Sequence, residues 1–167
     1  MILEHSGLKE PFFGRKNGAL ALGTAVHQLT ELMDRGQADR YTFHPKVEAF
    51  KPCWANVRRL VPFEIEAIEE PEYHPDLDYA GIPDRVAIWE KTRTLVEVKT
   101  GQKYPWHPLQ TAPYAALAEC KRRLIFYLDP TKPLGFTMEE HTDRADWQKF
   151  RAALVTTQGM KFEKENA

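Results

Sequence analysis

Three residues of this 167-residue chain have types and spacing suited to hydrolytic metal chemistry: Asp84, Glu97 and Lys99. Asp84 lies in Gly81-Ile82-Pro83-Asp84-Arg85-Val86, and Glu97-Val98-Lys99 begins eleven residues after Val86. Both segments are short and β-branched, which predicts strands joined by the polar turn Glu90-Lys91-Thr92-Arg93. If they pair antiparallel with Trp89 opposite Thr94, then Val86 faces Glu97 and Asp84 faces Lys99. Side chains alternate along a strand, so Asp84, Glu97 and Lys99 would project from one face and Val96 and Val98 from the other. A one-residue slip would separate them.

Two carboxylates and an ammonium on an otherwise apolar hairpin are costly unless something compensates, and a divalent cation would do so. Mg²⁺ and Mn²⁺ take carboxylate, carbonyl and water ligands and bridge to phosphate. The lysine would orient or deprotonate an attacking water and stabilise a transferring phosphoryl group. The competing reading is a surface hairpin of solvated ion pairs, which contribute almost nothing to stability.

Other elements must place the remaining chemistry. Apolar residues at Leu22, Val26, Leu29, Leu32 and Met33 predict a first helix ending near Gly36, with His27 and Glu31 one turn apart on one face. A second helix is predicted over residues 45–60 and strands at 63–67, 82–89 and 94–100. A helix at 108–120 carries Gln110 and Tyr114 four residues apart, with Pro113 either kinking it or lying in its first turn. A buried strand at 123–128, a short strand at 135–138 and an amphipathic helix at 143–154 complete the order. This is an α/β arrangement, a mixed sheet flanked by helices. No linker or repeat divides it, so one domain is expected over 1–167, with a helical part at 17–60, a core at 62–130 and the C-terminal helix at 143–154.

The loop between Lys99 and Gln110 contains Lys103, Tyr104 and Trp106. Aromatic faces beside positive charge suit single-stranded nucleic acid, although Tyr104 and Trp106 capping the core is an equal alternative. Lys121, Arg122 and Arg123 would hold phosphates or complement a helix end. His74, Asp76 and Asp78 form a lesser candidate metal cluster that reads more readily as a solvated turn.

A length of 167 residues allows burial of about 70% of the unfolded chain's surface, and 43% hydrophobic with 28% charged residues is ordinary for a globular protein. Cys53 and Cys120 are too few and too far apart for a disulfide framework or a zinc or iron–sulfur site, and read as reduced core thiols. Residues 17–30 are too short and polar to span a bilayer, and residues 1–11 lack an apolar signal core, so no membrane association and a cytoplasmic location are expected.

Taken in order, Gly23-x-x-x-His27, Gly81-Ile-Pro-Asp84-Arg85, Glu97-Val-Lys99-Thr-Gly101 and Gln110-x-x-x-Tyr114 resemble the PD-(D/E)XK nuclease superfamily, most nearly its RecB-like exonuclease branch. The resemblance implies a restriction-endonuclease-like core. It implies one or two Mg²⁺ or Mn²⁺ ions held by His27, Asp84, Glu97 and the main-chain carbonyl of Val98, with Lys99 as the catalytic lysine. Gln110 and Tyr114 would contact the DNA backbone or brace the site, and Arg85 would support it electrostatically or form a core salt bridge. The implied reaction is phosphodiester hydrolysis leaving a 5′-phosphate and a 3′-hydroxyl. Iron–sulfur members of the branch need four cysteines, and only two occur here; no helicase motor motif is present. The size resembles a stand-alone phage or recombination nuclease acting on single-stranded DNA or duplex ends, with a recombination protein as a possible partner. A structure-selective endonuclease and an inactive nucleic-acid-binding member are the alternatives.

The formal charge of −1 argues against a uniformly basic surface, but residues 64–78 hold seven acidic and no basic residues, which leaves the rest at net +6. Charge segregation is therefore expected.

Overall fold

The computed structural model describes residues 16–165, with side chains described from 20 to 157. Residues 1–11, read above for a signal segment, lie outside the described residues. Helix α1 spans Lys16–Asp34. It stops where expected: Gly36 adopts φ +65°, and the amides of Gly36 and Gln37 donate to the carbonyls of Met33 and Leu32 at 3.1 and 2.7 Å. A 3-10 turn follows at Ala38–Arg40.

The single helix predicted over 45–60 is two helices, α2 at Pro45–Glu48 and α3 at Lys51–Leu60. Pro52 explains the break, since it has no N–H for the carbonyl of Glu48 and its ring would clash there. The strands are β1 Glu64–Ile68, β2 Glu72–His74, β3 Tyr79–Gly81, β4 Arg85–Trp89 and β5 Thr92–Thr100. Helix α4 at His107–Leu117 leads to β6 at Arg122–Leu128 and β7 at Phe136–His141, and α5 runs over Ala145–Glu165. Asp143 caps α5, its carboxylate accepting from the Ala145 amide at 2.8 Å.

Five strands form one mixed sheet in the order β1-β4-β5-β6-β7, with β2 and β3 paired separately. The expected mixed sheet with flanking helices is present. The short β2–β3 hairpin was not predicted; its acidic, proline-interrupted sequence hides the pairing of Tyr73 with Ala80 and His74 with Tyr79.

The chain condenses into two compact units, each discontinuous in sequence. Among the described residues, one comprises those up to Phe63, Val98–Gln102 and Ile125–Glu139; the other comprises Glu64–Glu97, Lys103–Leu124 and those from Glu140 onward. The first centres on Trp54, Phe63 and Phe126, whose ring centroids lie 6.1–6.2 Å apart. Such aromatic pairs contribute roughly 0.5–1.5 kcal/mol each beyond burial. Trp54 donates its indole N–H to Asp34 at 3.1 Å, and Arg58 pairs with Asp34 at 3.3 Å while lying 4.3 Å over the Phe63 ring.

In the second unit Tyr79 packs on Trp147 and Phe150, and the buried Arg123 of β6 ties together α4 and α5. Cys120, between α4 and β6, has its thiol pushed up to about 11, chiefly by burial against the opposing pull of Arg93. Unfolded, that thiol ionises near its ordinary 9.0; folded, it keeps its proton to about 11. The stability linked to Cys120 is therefore complete below pH 9 and lost as pH rises to 11. Thermal unfolding across this range should show a falling midpoint that Cys120→Ala partly flattens.

Candidate metal centre

The β4–β5 hairpin turns through two residues, Glu90 and Lys91, both left-handed at φ +47° and +62°. Trp89 pairs with Thr92, Ala87 with Thr94 and Arg85 with Val96. The predicted register, with Trp89 opposite Thr94, is thus displaced by two residues. A two-residue turn with both centres left-handed matches the right-handed twist of the strands. The released residues are used: Arg93 bonds Glu66 at 2.9 Å and the Ala118 carbonyl at 2.7 Å.

Because the displacement is an even number, the faces survive. Val86 and Leu95 pair on the face that carries Glu97 and, two residues on, Lys99. One step past the Arg85–Val96 pair, the ladder sets Asp84 beside Glu97 rather than beside Lys99. Asp84 and Glu97 are buried, at 6% and 2% exposure, and Lys99 is half-buried.

Glu69 joins Asp84 from the end of β1, where Ile68 pairs with Arg85. Its amide donates to the Asp84 carbonyl at 3.2 Å, and the two carboxylates bring oxygens within 4.8 Å of each other. Glu69 is left-handed at φ +53°, a conformation that costs a non-glycine residue roughly 1 kcal/mol or more. Like charges this close repel, and a bound divalent cation would turn the repulsion into coordination. Sequence reasoning did not single out Glu69, which lay unremarked within the acidic run.

Of the other predicted ligands, His27 is half-buried in the middle of α1, and Val98 is fully buried in β5 with its side chain on the face opposite Lys99. Gly23, one turn before His27, leaves an added Cβ only 3.4 Å from the Thr100 hydroxyl. Arg85 is fully buried, and alternation along β4 turns it to the Val96 face. It therefore sits within the core.

Neither a family model nor a curated protein matches the chain. Among solved structures it is similar to one described as "Crystal structure of SSO0001", with 14% identity and a TM-score of 0.40 over 80% of this chain and 75% of that one. No helix among the described residues is long and apolar enough to cross a membrane.

Gln110 is exposed and Tyr114 half-buried on α4, and Pro113 lies in the helix interior rather than in its first turn. Tyr114 packs one edge of its ring against Gly81: a Cβ there would stand 2.6 Å from two ring carbons. Gly81→Ala should therefore displace the ring and cost about 1–3 kcal/mol, measured by urea denaturation. Combined with Tyr114→Ala, the loss should be clearly less than additive.

The basic cluster at 121–123 is not a phosphate cradle. Arg122 pairs with Glu90 and Glu140 and lies over Trp89, and Arg123 is buried against Asp146; Lys121 alone is exposed. His74 packs at a tilt against Tyr79 and Asp78 accepts from the Tyr73 hydroxyl, so the 74–78 residues serve their own hairpin. Tyr104 and Trp106 are exposed, which removes the core-capping alternative.

Proposed function

We propose that this chain is a Mg²⁺- or Mn²⁺-dependent deoxyribonuclease of the PD-(D/E)XK type, with the restriction-endonuclease-like core that implies. The observation that carries the reading is the convergence of the Glu69 and Asp84 carboxylates beside the strand face bearing Glu97 and Lys99. In this reading Asp84, Glu97 and the Val98 carbonyl are ligands, Glu69 is added to them, and His27 of α1 supplies a nitrogen. The donors suit the ion: hard carboxylate oxygens and one imidazole, with no thiolate among them. The two cysteines do not suit an iron–sulfur cluster.

When bound, the ion supplies Lewis-acid polarisation and charge neutralisation at the phosphodiester. Lys99, on the Glu97 face, positions the attacking water and donates to the charge that develops on the phosphoryl oxygens. The water oxygen forms the new bond to phosphorus, and the bond to the 3′-oxygen breaks. That oxygen departs with a proton, leaving a 3′-hydroxyl and a 5′-phosphate. Gln110, Tyr114 and Lys103 contact the DNA backbone in this account. Action at DNA ends, in recombination, repair or end processing, is the proposed role, with a recombination protein as a partner.

End-labelled DNA incubated with Mg²⁺, Mn²⁺ or EDTA, beside the Lys99→Ala variant, tests the reading. Cleavage is expected only with metal and only in the unsubstituted protein. Metal-independent products, or cleavage that survives Lys99→Ala, would sink it. Closed circular DNA should resist an exonuclease and be opened by an endonuclease.

A further inference from the structure

We infer that Tyr104 and Trp106 form a base-stacking platform that gives the protein a preference for single-stranded DNA. The inference rests on the nuclease reading for its substrate class and specifies which form of DNA is held. The two rings are parallel, with centroids 4.2 Å apart and planes 14° from each other. They are nevertheless 41% and 54% exposed, so the pair offers ring surface to solvent instead of to a core.

The pair is held in place. His107, only 7% exposed, meets both rings edge-on at 5.5 and 5.8 Å. Its amide donates to the Tyr104 carbonyl at 3.1 Å, and the Trp106 carbonyl accepts from the Gln110 amide at 2.9 Å, which fastens the loop to the first turn of α4. A platform ordered before binding loses little entropy when a base stacks on it. No acidic residue occurs from Val98 to Ala118, and Lys103 adjoins Tyr104, so this segment carries positive charge that favours a phosphate backbone. A base inside a blunt duplex presents only its edge; an unpaired base presents the face that such rings accept.

Fluorescence anisotropy in EDTA, with labelled oligo-dT, an abasic oligomer of equal length and a blunt hairpin duplex, tests this without any cleavage step. Trp106→Ala and Tyr104→Ala should each weaken oligo-dT binding by about 5- to 150-fold and duplex binding much less. The unsubstituted protein should hold the abasic oligomer as weakly as Trp106→Ala holds oligo-dT, and Trp106→Phe should restore most of the affinity. Unchanged oligo-dT affinity in the alanine variants, equal losses on both DNA forms, or equal affinity for abasic and oligo-dT probes would overturn the inference. Failure of the nuclease reading shows separately, as absence of Mn²⁺-dependent hydrolysis of bis(p-nitrophenyl) phosphate by the unsubstituted protein.

Discussion

Asp84→Asn is expected to lower Mn²⁺-dependent DNA cleavage by about a thousandfold or more while leaving the protein folded. Asparagine keeps the volume of aspartate and a carbonyl oxygen but removes the negative charge that a hard cation requires. The main-chain bond from the Glu69 amide to the residue-84 carbonyl, 3.2 Å long, does not involve the altered group. Without metal, the substitution also removes one of two carboxylates whose oxygens lie within 4.8 Å. The thermal midpoint in EDTA should stay close to that of the unsubstituted protein, even as activity disappears. A variant that loses activity and stability together would make Asp84 a structural residue rather than a ligand.

The second large effect is structural. Arg123→Ala should destabilise the fold by about 3–5 kcal/mol, because it leaves a buried carboxylate without its partner. The Arg123 guanidinium donates to Asp146 at 2.8 Å, to the Pro108 carbonyl at 2.6 Å and to the Asp143 carbonyl at 3.0 Å. The two side chains are 6% and 10% exposed, so solvent cannot replace the lost bonds. Urea denaturation should show the drop in midpoint. Arg123→Met combined with Asp146→Leu should recover much of it, since an apolar pair of similar volume carries no desolvation cost. An unchanged midpoint for Arg123→Ala would contradict this account of the buried pair.

The strand face bearing Asp84, Glu97 and Lys99 was legible because alternation depends only on parity, and parity survived a two-residue error in register. The register itself was misread because Glu90 and Lys91 carry no glycine or asparagine to announce a tight turn. Glu69 was invisible for a different reason. Its approach to Asp84 depends on β1 pairing with β4 across the intervening β2–β3 hairpin, and on one left-handed residue that no local pattern marks. Arg123 has two readings in the sequence, the start of a buried strand and a member of a basic cluster with Lys121 and Arg122; it starts the buried run of β6. Charge is segregated along the sequence, but much of the positive charge is already committed. Arg58, Arg93, Arg122 and Arg123 are all in ion pairs, so a basic groove cannot be counted from sequence.

Calorimetric titration of the protein with Mn²⁺ at neutral pH tests the metal centre most directly. The unsubstituted protein should bind at least one ion, Asp84→Asn should lose that binding, and Glu69→Gln should weaken it about tenfold or more, by analogy with the loss of other ligand-supporting groups. Absence of saturable Mn²⁺ binding, or binding that both variants retain unchanged, would contradict the assignment.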